Sequence, residues 1–258
     1  LLILFAASAA ERSVHMLKFG ITERGDIAFS DNWIKPVKDG NVSAAILISK
    51  GMPTIRGQEA MIAMKARLIF HATTTGFGGT ILEPNVVPAA ERLEQLKTFC
   101  NKGFPMTHIV IRVDPMIPTS KGIARAESVI KLAYELGFRR FRYSWLDCYA
   151  HVKTRFLKTG LPVPPSITEA DTELVSSFVN EFCSEYEAKG CIFESCAEIN
   201  RHQTGCISAR DFKLCGLDPK EALGKSSQRK QCLCCAAKTE LLSTKGRCPH
   251  NCLYCYWR

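Results

Sequence analysis

Short runs rich in β-branched and aromatic residues alternate along this chain with stretches of helical periodicity, and that alternation limits the fold more than any other feature. The runs are Met16–Ile21, Ala44–Ile48, Leu68–Thr74, His108–Val113, Phe138–Trp145 and Cys191–Glu194. Between them, Gly57–Ala66 is a short amphipathic stretch. Pro88–Cys100 puts Leu93, Leu96 and Phe99 on one side, with Pro88 near the first turn. Ser120–Leu136 repeats Ile123, Ala126, Ile130 and Ala133 and meets a stop at Gly137. Thr168–Lys189 opens on Thr168-x-x-Asp171, a loose capping box, repeats Leu174, Phe178, Phe182 and Tyr186, and stops at Gly190. Strands separated by helices pair in parallel, because each crossover must return over a face of the sheet. Right-handed crossovers wind such a sheet into a barrel, a partial barrel or a doubly wound sheet. The expectation is therefore α/β: a partial or full TIM-like (β/α) barrel of about six parallel strands over residues 16–197. Residues 198–258 lose the periodicity and read as an irregular, Cys-rich segment closing the barrel mouth. Leu1–Ala10 resembles the apolar part of a signal peptide but lacks an initiator Met and a basic start. It is read as a buried strand or helix, and residues 1–15 are left as a poorly defined segment.

The 258 residues are 46% hydrophobic and 23% charged, which is ordinary for a globular chain and excludes a disordered tail or a collagen-like fibre. Thirty-four Lys and Arg against 25 Asp and Glu give a net charge of +9, suited either to a basic soluble enzyme or to a polyanionic partner such as nucleic acid. No run of about 18 apolar residues is present, so no membrane-spanning helix is expected. Neither a G-x-G-x-x-G after the first strand nor a Walker A is found, which disfavours dinucleotide and NTPase chemistry. Polar residues gather where the predicted strands end: Lys50, Thr73 and Thr74, Arg112 and Asp114, Ser144 and Asp147, and Glu198. In β/α barrels that rim carries the active site.

Eleven of the 13 cysteines lie from Cys183 onward. An odd number in C-x-C, C-C and C-x3-C-x2-C clusters points to metal ligation in a reducing compartment, hence a cytoplasmic protein. Cys248, Cys252 and Cys255 sit on one tight loop, and three thiolates can hold three irons of a [4Fe–4S] cluster while leaving the fourth iron open. The competing assignment uses Cys232, Cys235, Cys248 and Cys252 as four sulfur ligands of a tetrahedral zinc. Upstream, Cys196, Cys206, Cys232 and Cys234 form the preferred quartet for a second, closed cluster, with Cys215 and Cys235 as substitutes. Cys100, Cys148, Cys183 and Cys191 fall in helical or strand patterns and read as buried small hydrophobes.

The Cys248, Cys252, Cys255 spacing resembles the signature of the radical S-adenosylmethionine (SAM) superfamily, and the string Cys252-Leu253-Tyr254-Cys255-Tyr256 is similar to the spore photoproduct lyase branch. Several further elements resemble the bacterial family of the domain of unknown function 1848. They are Lys50-x-x-Pro53, the run Thr74 to Pro88, Arg112-Val-Asp114-Pro115, Ser144-Trp-Leu-Asp147-x-Tyr149, Cys196-Ala-Glu198, Cys206-Ile207, and the ending from Gln228 to Tyr256. The resemblance runs from about Lys18 to the end. It departs at Thr22-Glu23-Arg24-Gly25-Asp26, where the family carries Ser-Arg-Arg-Thr-Asp, and at Ser208, where the family carries Asp. It implies a radical-SAM-like barrel with two iron–sulfur sites and an aromatic, Tyr254, beside the SAM adenine. In most radical SAM enzymes the cysteines follow the first strand. Here they end the chain, which implies a circularly permuted barrel or a tail folded back over the mouth.

Two functions are expected from these readings. In the first, the open iron binds SAM and cleaves it reductively for an unknown substrate. Lys50 or Arg112 would pair with the SAM carboxylate, and Asp114 or Glu198 would take the ribose hydroxyls or the ammonium. Thr74, Ser144 and Asp147 would line the cofactor pocket, and an electron donor such as flavodoxin or ferredoxin would be the partner. In the second, zinc orders a basic tail that contacts nucleic acid through Arg229, Lys230, Lys238, Lys245 and Arg247.

Overall fold

The computed structural model describes residues 18–196, 198, 200–222, 233, 238–242 and 248–257. Residues 1–15, the basic run from Lys225 to Lys230, and Cys232, Cys234, Cys235, Lys245 and Arg247 lie outside the described residues. The expected alternation is present. β1 (Phe19–Ile21), α1 (Ile34–Lys38), β2 (Ala44–Ser49), α2 (Ile55–Ala63), β3 (Leu68–Thr73), α3 (Ala89–Asn101), β4 (Ile109–Met116), α4 (Ser120–Glu135), β5 (Arg140–Trp145), α5 (Ala150–Lys158), α6 (Thr172–Ser177), α7 (Cys183–Ala188) and β6 (Ile192–Cys196) follow in order. The Cys-rich tail adds β7 (Gln203–Thr204), α8 (Ala209–Leu214) and β8 (Lys238–Glu240). The result is a curled half-barrel of eight parallel strands in the order β7-β6-β5-β4-β3-β2-β1-β8.

The strand count corrects the expectation of six. β7 has two residues and β8 three, too short for a period-two pattern to register, and β8 carries charges at both ends. Their pairing is imposed by the neighbouring strands β6 and β1, not by intrinsic propensity. β8 is last in the chain yet lies beside β1, the first strand.

Side chains alternate across the sheet. One face packs Leu47, Leu68, Phe70, Ile111, Val113 and Phe141 against Leu93, Leu96, Phe99, Ile123, Ile130 and Phe178 of the covering helices, forming the main core. The concave face is apolar only at its floor. There Phe19, Ile46, Ile69 and Val110 meet Ile207 and Phe212, with the Phe19 and Phe212 rings 5.0 Å apart. α8 therefore plugs the floor, where the tail had been expected to be irregular. Its start is fixed by a reciprocal capping box between Ser208 and Asp211.

The last of the expected helices differs locally from the expectation. The helix expected over Thr168–Lys189 starts at Thr172, because the Asp171 carboxylate accepts from the backbone N–H of Glu173 and of Leu174. A π-turn at Phe178–Phe182 then joins α6 to α7. No helix of the described residues is long and apolar enough to cross a membrane.

Candidate active site

Parallel strands deliver their C-terminal ends to one rim, and the end of the chain is fastened there. Leu253 N–H donates to the Leu82 carbonyl at 2.9 Å, Asn85 Nδ2 to the Pro249 carbonyl at 2.8 Å, and Arg155 Nε to the Leu253 carbonyl at 2.7 Å. Arg155 also donates to the Cys255 carbonyl, and Asp147 N–H donates to the Tyr256 hydroxyl at 2.9 Å. Cys252, Leu253 and Tyr254 are buried in a separate apolar cluster with Phe77, Val86, Ile117, Leu146, Val152 and Phe156. His250 is held from two sides. Nδ1 lies 3.2 Å from the Asn85 carbonyl, and Nε2 lies 3.1 Å from Oδ2 of Asp26. Asp26 in turn accepts from Lys50 N–H at 2.9 Å, from Ala28 N–H at 2.8 Å and from the Ser49 hydroxyl. Asp26, in the loop that follows β1, thus helps to seat the C-terminal loop through His250.

Beneath the loop is a buried polar cluster centred on Glu83. Its Oε1 accepts from Lys50 Nζ at 2.6 Å and from the Tyr254 hydroxyl, and its Oε2 accepts from the Thr75 hydroxyl at 2.7 Å. Lys50 Nζ also lies 3.1 Å from the Tyr254 oxygen and 5.3 Å from the ring centroid. Glu83 is 1% exposed, so its charge depends on these donors. Burial alone would push the carboxyl up, but the Lys50 ammonium and the hydrogen bonds outweigh it and hold the group below its ordinary range. The same pairing holds Lys50 above its usual range against its own desolvation. Burial, then the Glu83 charge, pushes the Tyr254 phenol well up. A tight loop presents Glu83. Gly78 is followed by Gly79 at φ +74°, and a Cβ on Gly78 would come 2.0 Å from the Val87 carbonyl oxygen, so only glycine fits there.

Across the rim, Arg112 pairs with Asp114 through Nε at 2.5 Å and through Nη2. Asp114 Oδ1 accepts from the Ser144 hydroxyl at 2.5 Å. Glu198 accepts from Trp145 N–H at 3.0 Å. Next to them the Cys196 and Cys206 sulfurs are 3.3 Å apart, close but not bonded. The Cys206 contact, against the opposing effect of burial and helped by Arg112 and Arg142, lowers the Cys196 thiol to about 6. Cys206 is pushed up, first by the same contact.

The structure therefore brings Lys50 and Tyr254 into one cluster, and Arg112, Asp114 and Ser144 into a second. It joins Cys196 to Cys206, while their expected partners Cys232 and Cys234 lie outside the described residues. Thr74 does not join either cluster. Its backbone N–H extends the pairing to the Arg112 carbonyl, and its hydroxyl lies 3.4 Å from the Ala72 carbonyl. The neighbouring Thr75 reaches Glu83 instead. Asp147 meets the C-terminal loop through its backbone. Glu83 and Asp26 were not anticipated. Both sit in loops without periodicity, and the only available signal was an acidic residue inside a Gly/Pro-punctuated segment beside a rim lysine.

A family model for a domain of unknown function, DUF1848, matches residues 29–257. The chain belongs to that family. No curated protein matches it. The matched span takes in the β2 end with Lys50, the Glu83 loop, Arg112-Asp114, Cys196, Cys206 and the C-terminal cysteine loop, and Asp26 lies just before it. Among the described residues, no three His, Cys, Asp or Glu side chains converge on a point where one metal ion would sit. Thiolates that ligate separate irons of a cluster need not converge in that way. The donor set fits such a cluster in a further respect. The loop's one imidazole is engaged with Asp26 and Asn85, which leaves Cys248, Cys252 and Cys255 as the loop's soft donors. Burial holds the Cys248 thiol above its ordinary range and pushes the Cys252 thiol up to about 12, so ligation would have to displace those protons.

Proposed function

We propose that this DUF1848 protein is a radical-SAM-type enzyme. Cys248, Cys252 and Cys255 hold a [4Fe–4S] cluster with one open iron, and Cys196 and Cys206 contribute to a second, closed cluster. The observation that carries the reading is the three-thiol loop fastened on the C-terminal rim of a parallel half-barrel, with its histidine turned away and ion-paired rim residues beneath it. The sheet order supports the permuted form of the barrel. The cysteine loop follows β8, and β8 is the strand at the β1 edge, so in space the loop follows the strand that comes first.

When bound, the cluster would supply the electron for reductive cleavage of SAM to a 5′-deoxyadenosyl radical. The chain's own residues do the rest. Arg112, held flat by Asp114, presents its remaining N–H donors to the SAM carboxylate. Asp114, Ser144 and Glu198 offer acceptors and a hydroxyl for the ribose and the ammonium. Tyr254, fixed by Glu83 and Lys50, supplies an aromatic face for the adenine. The apolar packing of Phe77, Leu146, Val152 and Leu253 around the loop keeps bulk water from the reacting centre. A flavodoxin- or ferredoxin-type donor fits the need for one electron.

Protein purified anaerobically should be brown, carry about seven to eight irons per chain, and form 5′-deoxyadenosine from SAM and dithionite. Cys252→Ala should abolish that product while roughly half of the iron remains. A colourless protein with stoichiometric zinc overturns the reading and favours a zinc-organised, nucleic-acid-binding chain. Cleavage that survives Cys252→Ala shows that the reactive site lies elsewhere.

A further inference from the structure

Lys50 and Glu83 form an ion pair directly under the cysteine loop. Lys50 Nζ is 2.6 Å from Glu83 and 3.1 Å from the hydroxyl of Tyr254, two residues beyond Cys252. Lys50 comes from just after β2 and Glu83 from the loop between β3 and α3, both at the rim. Both are shielded from water, with side-chain exposures of 16% and 1%. Both groups meet the hydroxyl of Tyr254, which lies between Cys252 and Cys255 in the chain, so the pair sits against the middle of the three-thiol loop. A charge held this way in a low-dielectric site exerts a field that solvent does not screen.

We infer that the Lys50–Glu83 pair is a device that sets the reduction potential of the cluster on Cys248, Cys252 and Cys255, with Lys50 pulling the potential up and Glu83 pulling it down. The inference rests on the proposed cluster, and it adds a role that recognition of SAM does not require. Reduction adds one electron to the cluster. A cation nearby stabilises the reduced form, and an anion nearby destabilises it. Removing Glu83's charge leaves the ammonium unopposed; removing Lys50's leaves the carboxylate unopposed provided the titration is run at a pH alkaline enough to keep the buried Glu83 ionised, since burial alone pushes that carboxyl up. The two substitutions therefore move the potential in opposite directions, and removing both charges restores it. A residue that only holds the loop in shape has no such sign rule.

The test is an anaerobic redox titration of the intact iron-loaded protein, following the electron paramagnetic resonance signal that changes when SAM is added. Glu83→Gln should raise the midpoint potential and Lys50→Met should lower it. Each should change the reduction equilibrium by about tenfold, or about 59 mV for one electron. The double variant should return close to the parent, and Tyr254→Phe, which keeps both charges, should shift it far less than either. Shifts of the same sign, or none, overturn the inference and leave the enzyme reading standing. If Glu83→Gln does not fold, Lys50→Met and the double variant decide alone: a potential that Lys50→Met does not lower overturns the inference. A parent protein with no SAM-responsive cluster overturns both.

Discussion

His71 is 1% exposed, and neither ring nitrogen has a hydrogen-bond partner. It projects onto the concave face, where Arg112, Arg140 and Arg142 also lie. Arg140 and Arg142 are compensated: Arg140 is 2.8 Å from Asp211, and Arg142 is 2.9 Å from Glu194. His71 has no such acid. Burial first, then the charges of Arg142, Arg112 and Arg140, drives its protonation well below the ordinary imidazole range. The folded chain therefore keeps His71 neutral, while the unfolded chain takes up a proton below about pH 6.5. The stability linked to this residue is complete above that pH and is lost as the pH falls through it. His71→Leu removes that dependence along with two unsatisfied buried nitrogens, each costing about 1–3 kcal/mol. The variant should match or exceed the parent's thermal midpoint at pH 7 and lose less of it between pH 7 and pH 5. A parallel acid decline in both proteins would show that His71 stays neutral in neither state or has found a proton acceptor.

The helix that precedes β6 shows what a sequence pattern can and cannot specify. Leu174, Phe178, Phe182 and Tyr186 repeat every four residues, and each step of four drifts by about 40° around an α-helix of 3.6 residues per turn. Three such steps would carry the stripe off the sheet. The π-turn at Phe178–Phe182 takes in an extra residue and brings Phe178, Phe182 and Tyr186 back to one core. The repeat was legible, and its consequence was not, because spacing alone does not say whether the stripe or the backbone yields. The helix starts four residues later than the sequence suggests for a similar reason. Thr168 and Asp171 both suit a cap, and only the fold shows that Thr168 is turned to Ser166 while Asp171 takes the free N–H groups. Asp171→Ala should cost about 1 kcal/mol, and Thr168→Ala should leave stability nearly unchanged. Urea unfolding of the two variants separates the assignments, and equal losses would restore Thr168 as the cap. The same limit hid Glu83. Its loop has no period to read, and its importance comes from meeting Lys50 and Tyr254, 33 and 171 residues away in the chain.

At the scale of the whole molecule, chain order and spatial order among the described residues disagree at one place, β8. Six strands, β1 to β6, run in sequence across the sheet, and each overlaps a run rich in β-branched and aromatic residues that shows in the sequence without tertiary help. β8 breaks the order by taking the outer place beside β1, where Glu240 accepts from the N–H groups of Glu23 and Arg24 at 3.0 and 3.1 Å and Lys238 pairs with Glu23. Since β8 is parallel to β1, it ends at the mouth, the same rim on which the cysteine loop is seated. If the spatial order is what the chemistry requires, the covalent order is dispensable. Joining Trp257 to Lys18 through a helical linker of about a dozen residues or more would supply the crossover that parallel neighbours need. The new ends would open beyond the short 3-10 helix Pro219–Ala222, which packs beside α8. The rearranged chain begins with β8 and its cysteines and ends with α8 in the floor. It should fold, bind the same amount of iron per chain as the parent, and form 5′-deoxyadenosine at a similar rate. A rearranged chain that folds by circular dichroism yet loads only the second cluster would show that the C-terminal loop must be the last segment to dock on a finished barrel. The position of β8 would then reflect an order of assembly and not a permuted architecture.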